Sequence, residues 1–192
     1  MNSKQINNSM TSIDPPVIQR CIAGDKAAFR EIVIAYQRLL FGVAFKMLCD
    51  EDEAKDILQE SFIHIWQHLE DYDQQRNFGS WVYGITVHLC LDRLRQKDRW
   101  GEMPEDEELL AQFADDPEPD RQLENSELAG VIRGLVSRLS DQQRIAFTLV
   151  HLENLTVAEA STVSGIPADK LKSNLYVARQ NIRKQLIQSG YE

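Results

Sequence analysis

The chain has 192 residues, 43% of them hydrophobic, with a formal net charge of −9. That apolar content can bury one ordinary core or two small ones, which excludes a chain disordered throughout. No apolar run approaches the ~20 residues needed to span a bilayer, and the polar opening MNSKQINNSMTSID lacks the apolar stretch of a signal peptide. A cytoplasmic protein without membrane insertion is expected.

Residues 1–20 read as a disordered tail. From 21 to 100 the pattern is helical. Phe29, Ile32, Val33, Tyr36, Leu40, Val43, Ala44 and Met47 recur at helical spacing and give one apolar face to a long helix. Ala54, Ile57, Leu58, Ile65, Trp66 and Leu69 do the same for a second. Residues 56, 59, 60, 63 and 67 share that helix's opposite face, and Ile63 on an otherwise polar face points to an apolar contact with a partner. A third helix carries Trp81, Ile85 and Leu89 together with Tyr83, Val87 and Leu94, so it is buried over a wide arc. Its last turns, with Arg93, Arg95, Lys97 and Arg99, are basic.

Charge then changes abruptly. Residues 101–127 hold eleven carboxylates against one arginine, Arg121, so this stretch alone accounts for the negative total and leaves the rest slightly basic. Three prolines and weak periodicity mark residues 101–122 as a linker that self-repulsion keeps extended. Cys21, Cys49 and Cys90 are odd in number, far apart and set among apolar residues, which argues against a disulfide framework or a zinc site. They read as buried thiols.

Residues 123–192 are again helical. Ser140 with Gln143, and Thr156 with Glu159, have the spacing of capping boxes. After the short helix that starts at Thr156 comes the turn Ser164-Gly165-Ile166-Pro167. Gly165 suits a left-handed helix end and Pro167 the first turn of the next helix, which runs to about Gln188. A short helix, a glycine turn and a basic second helix make a helix-turn-helix. On the second helix Lys172, Ser173 and Tyr176 fall near one face with Asp169. Arg179, Arg183 and Lys184 extend to phosphate distance, and Leu171, Leu175, Ala178 and Ile182 form the opposing core stripe. The fold expected is all-α: two small helical domains joined by an acidic linker, the second containing the helix-turn-helix.

Three blocks now resemble one family, in its own order. Residues 52–73, DEAKDILQESFIHIWQHLEDYD, resemble region 2.2 of bacterial sigma factors. Residues 77–96, NFGSWVYGITVHLCLDRLRQ, resemble regions 2.3 and 2.4, and residues 155–186 resemble region four. The short acidic linker and the lack of a region three resemble the extracytoplasmic-function (ECF) group. The resemblance implies that 21–100 binds polymerase and the minus-ten element and that 123–192 binds the minus-thirty-five element. It implies that Asp56, Gln59 and Glu60 dock on core RNA polymerase, with Ile63 beside them. It implies that the loop at 73–77, with Arg76 and Asn77, resembles the pocket for a flipped minus-ten base, whose extrusion costs a few kcal/mol. Tyr72 stands where the family tends to place an aromatic. His88, next to Val87, replaces the usual asparagine. Trp81 and Phe78 read as packing. In region four Lys172, Ser173 and Tyr176 match positions facing promoter DNA, Arg179 follows them, and Asn174 stands where arginine is common. An anti-sigma factor is a further partner the group implies.

Other readings remain. A free-standing helix-turn-helix regulator predicts dimerisation and a palindromic operator, and does not require the Asp56, Gln59, Glu60 face. A sigma-like adaptor is a second, kept open by Asn174 and His88. His64 and His68 have the i,i+4 spacing of a metal pair, but no HExxH surrounds them and no third ligand is evident, so they read as helix surface. Without a nucleophile–base pairing, a phosphate loop or an acid dyad, neither an enzyme nor a cofactor is expected.

Overall fold

The computed structural model describes residues 13–100 and 127–188, with the side chains of 13–97 and 130–188. The acidic linker expected at 101–122, and residues 1–12 of the expected tail, lie outside the described residues.

Helix α1, Pro15–Ile22, corrects the tail for residues 15–20. Prolines open the helix, where a missing N–H costs nothing, and Ile18 and Cys21 are buried against its neighbour. Eight residues with so short an apolar stripe did not stand out from the polar sequence before them.

Helix α2, Lys26–Leu48, starts at Asp25, whose carboxylate accepts from Ala27 N at 2.9 Å and Ala28 N at 3.2 Å. Such a cap contributes about 1 kcal/mol. The helix ends at Cys49 in the left-handed region, φ 55°, with Cys49 N donating to Phe45 O at 2.8 Å. One residue later Asp50 caps α3, Glu51–Gln67, by accepting from Glu53 N at 2.9 Å. Glu51, Asp52 and Glu53 place negative charge at the positive end of that helix. A 3-10 turn, Leu69–Asp71, leads through the 73–77 loop to α4, Phe78–Trp100.

Beyond the linker come α5, Glu127–Ser137, and α6, Asp141–Phe147, which runs directly into a π-helical turn, Thr148–Leu152. Helix α7, Val157–Ser164, and α8, Ala168–Gln188, complete the described residues. The Thr156–Glu159 capping box forms in full. The one expected at Ser140 does not: Ser140 makes no side-chain cap bond, and the Gln143 amide oxygen instead accepts from Asn181 Nδ2 of α8 at 2.9 Å. A tertiary bond has overridden the local motif.

Two cores result. One joins α1, the first half of α2, the end of α3 and the start of α4 around Ile32, Tyr36, Leu40, Ile65 and Val82. The other begins with Val43, Met47, Ala54, Val87 and Leu91 and continues without a break into Ile145, Leu149, Leu155, Ile166 and Leu171 of the C-terminal helices. The two helical bodies therefore share a core. Between α3 and α4, Thr86 Oγ1 donates to Ser61 Oγ at 2.9 Å and Ser61 Oγ to Ile57 O at 2.7 Å, so both fully buried hydroxyls are satisfied. On α4 the most deeply buried positions are Val82, Tyr83, Val87, Cys90, Leu91 and Leu94, while Trp81, Ile85 and Leu89 are half-buried. Cys21 and Cys90 are buried and Cys49 is half-buried. Burial pushes the Cys90 thiol up to about 12, which leaves it inert.

Candidate functional site

Helix α3 presents Asp56, Gln59, Glu60 and Ile63 to solvent, back to back with the buried Ala54, Ile57, Ser61 and Ile65. Ile63 is 56% exposed and stands among the polar side chains of this face. The acids on this face are not independent. Arg93 of α4 donates to Glu60 at 2.8 Å and pairs with Glu53, and Lys97 lies 3.4 Å from Glu53. One guanidinium thus sets the position of Glu60 from the neighbouring helix.

The 73–77 loop rests on aromatic rings. Tyr72 lies 5.1 Å, ring to ring, from both Phe78 and Trp81, and Phe78 meets Tyr36 edge-on at 5.8 Å. The Tyr72 hydroxyl donates to Arg76 O at 2.5 Å. Asp73 turns the loop by accepting from Gln75 N at 3.0 Å, and Asn77 caps α4 by accepting from Ser80 N at 2.9 Å. Arg76, Asn77 and His88 are exposed. Two of the expected contacts, Tyr72 and Val87, are buried in the free chain. Tyr72 is only 8% exposed, and its ring supports the loop from beneath. Val87 is fully buried in the shared core, because it lies one residue from His88 and therefore about 100° around the helix.

In the helix-turn-helix, Gly165 ends α7 with φ 68°, the left-handed conformation its sequence position predicted. Two serines fasten the turn: Ser164, which the sequence placed in it, and Ser161, which the sequence did not single out. Ser161 Oγ donates to Ile166 O at 2.7 Å, and Ser164 Oγ accepts from Ile166 N at 3.2 Å. Ser161 would pass as an ordinary polar residue of a short helix, and its partner lies in the turn. Leu171, Leu175 and Ala178 are buried as expected, and Ile182 is half-buried. Lys172, Ser173, Tyr176 and Arg179 are exposed, Tyr176 by 65%, and Asn174 is half-buried between the two faces. Arg179 is already engaged: its Nε donates to His151 Nε2 at 2.9 Å, which requires that nitrogen of His151 to be unprotonated. Burial, then the nearby charge of Arg179, lowers the pKa of His151.

The ring centres of His64 and His68 lie 4.3 Å apart with the planes tilted by 30°, and His68 Nδ1 lies 3.2 Å from Asp71 Oδ2. No group of three potential metal ligands occurs among the described residues, nor does any described helix have the length and apolarity to cross a membrane.

Two family descriptions match the chain: Sigma-70 region 2 over residues 32–99 and Sigma-70, region 4 over residues 129–182. The ECF RNA polymerase sigma factor SigW of Bacillus subtilis is 30% identical over 176 residues, covering 88% of this chain and 94% of that protein. The chain belongs to the ECF sigma factors. The RNA polymerase sigma-H factor of Pseudomonas aeruginosa is 27% identical, over 90% of this chain and 93% of its own. The fold is also shared with the sigma factor RpoE of Bartonella quintana, solved in complex with the anti-sigma factor NepR. The TM-score there is 0.63 at 20% identity, with 82% of this chain and 96% of that chain covered. Within this sigma factor, region 2 thus spans most of α2 to α4, and region 4 runs from α5 into α8.

Proposed function

We propose that this sigma factor binds core RNA polymerase through the α3 face formed by Asp56, Gln59, Glu60 and Ile63. Its first body, residues 21–100, then holds the melted minus-ten strand at the 73–77 loop with Arg76, Asn77 and His88. Its second body, residues 123–192, reads duplex minus-thirty-five DNA with Lys172, Ser173, Asn174, Tyr176 and Arg179, and residues 101–122 connect the two. The protein acts in the cytoplasm, by binding and not by catalysis, and is held in check by an anti-sigma factor. The observation that carries this reading is the exposed isoleucine among carboxylates on α3, on a chain whose other end is a helix-turn-helix with a polar, exposed reading face. A self-sufficient repressor has no need of the first feature.

The test is co-migration of the purified chain with core polymerase, followed by transcription from a promoter library. Asp56→Ala combined with Gln59→Ala should abolish polymerase binding while helical content stays unchanged. Tight promoter-specific binding by the chain alone, with no affinity for core polymerase, would favour the repressor reading and overturn this one.

A further inference from the structure

The outer face of α8 has an uncharged centre and a cationic rim. Ser173, Tyr176 and Val177 are neighbours at i, i+3 and i+4, and all three are exposed. In the sequence Val177 stands beside the core alanine Ala178 and passes for packing. In the structure it is 40% exposed, and Tyr176 next to it 65%. Lys170 stands two turns before Val177 and Lys184 two turns after it, each about 10 Å away along the axis. On the Tyr176 side Lys172, Arg179 and Arg183 continue the rim, and all five cations are exposed. Cations so placed meet phosphates, which hold a helix in the groove without reading sequence. The centre is left for base edges.

What the centre can read follows from its chemistry. Recognition helices meet base edges through their N-terminal turns, here residues 168–178. That stretch has no arginine or glutamine, and its one asparagine, Asn174, is half-buried. The planar donors that fork onto guanine or pair with adenine are therefore missing from the centre. Lys172, next to Ser173, already has Asp169 3.8 Å from its ammonium. An aliphatic side chain has one apolar counterpart on the base edges of the major groove, the thymine C5-methyl. Val177 suits it physically. Branching at Cβ leaves one strongly preferred rotamer in a helix, so its methyls are held in place before DNA arrives and little entropy is lost on contact.

We infer that Val177 is a specificity-determining residue, which packs against the methyl group of one thymine in the minus-thirty-five duplex. This rests on the sigma-factor reading above and names a base that reading leaves open.

The experiment uses the full chain bound to core polymerase, and duplexes that this complex selects from the promoter library. Circular dichroism checks that each variant keeps its helical content. Each thymine of the upstream element is replaced in turn by uracil, which removes the C5-methyl and leaves the hydrogen-bonding groups of the base intact. One such replacement should weaken binding roughly fourfold, the effect of losing one buried methyl group. Val177→Ala should bind the thymine duplex about as weakly and lose nothing more with uracil at that position. Val177→Ile keeps an aliphatic branch and should keep the uracil effect. No charge changes in Val177→Ala, so the salt dependence of binding should stay as it was, which it would not for a phosphate contact. Uracil without effect at every thymine, an upstream element with no thymine on either strand, or a uracil effect that survives in Val177→Ala would each overturn the assignment and leave the sigma-factor reading standing. If the chain and core polymerase form no complex, or the complex selects no promoter, that reading falls and this inference with it.

Discussion

The two regions proposed to meet DNA are built in opposite ways. The α8 reading face is the outside of a helix whose other side is filled by Leu171, Leu175 and Ala178, so Lys172, Ser173 and Tyr176 stand clear of the fold. The 73–77 loop has no such backing helix. It is shaped by Tyr72, Phe78 and Trp81 beneath it and by the bond from the Tyr72 hydroxyl to Arg76 O. In the first region recognition and stability belong to different residues. In the second they are coupled, because the aromatic that gives the loop its form is also part of the core.

Substitutions should expose that difference. The largest effect is expected for Tyr72→Ala, which empties a site that is 8% exposed. It should destabilise region 2 by about 3–5 kcal/mol, the range for losing a buried aromatic ring, and abolish promoter melting along with it. Tyr72→Phe keeps the ring and loses only the bond to Arg76 O, so urea titration should register about 1 kcal/mol. Should Tyr72→Ala leave stability unchanged and reduce only melting, the loop would be as independent of the core as α8, and the contrast would be broken. Ile63→Ala on α3 comes next. A side chain 56% exposed contributes little to folding, yet its burial against polymerase should be worth about 1–2 kcal/mol, read as roughly a tenfold weaker complex. On α8, Lys172→Ala should leave the melting temperature unchanged and lower the salt dependence of duplex binding by about one counterion.

How much of this was legible in the sequence follows from the same contrast. Helix faces are written in the period of apolar residues, so the exposure of Asp56, Gln59, Glu60 and Ile63, and of Lys172, Ser173 and Tyr176, could be read directly. The glycine turn was equally plain, since Gly165 is the residue that φ 68° favours. Positions that depend on a distant partner were not. Gln143 looked like half of a capping box until Asn181 of α8 claimed it. Val87, carried over beside His88 from the resemblance alone, is buried in the free chain, because adjacent helix residues point in different directions. Arg144 carried no signal at all, because its acceptor is a backbone carbonyl ninety-seven residues earlier in the chain. Backbone acceptors are present at every position, so the sequence does not mark the ones left over at a helix end.

The smallest effect expected is also the one that probes α8 most finely. His151 accepts from Arg179 through an unprotonated Nε2, and its pKa is lowered by burial and by that guanidinium. The pKa of His64 is lowered too, by burial and by His68. A histidine whose folded pKa lies below its unfolded value binds more protons when unfolded, so stability rises with pH through that interval. The contribution is complete above the unfolded value, about 6.5, and is lost as pH falls below it. Melting temperature should therefore decline modestly from pH 7.5 to pH 5.5, and His151→Gln combined with His64→Gln should flatten that slope. His151→Gln alone offers Arg179 an amide oxygen that no proton removes. Duplex binding by this variant should lose whatever pH dependence the release of Arg179 imposes, while the remaining slope in stability reports His64. A binding profile that keeps its full pH dependence in His151→Gln would show that Arg179 does not depend on this histidine for its place on the reading face.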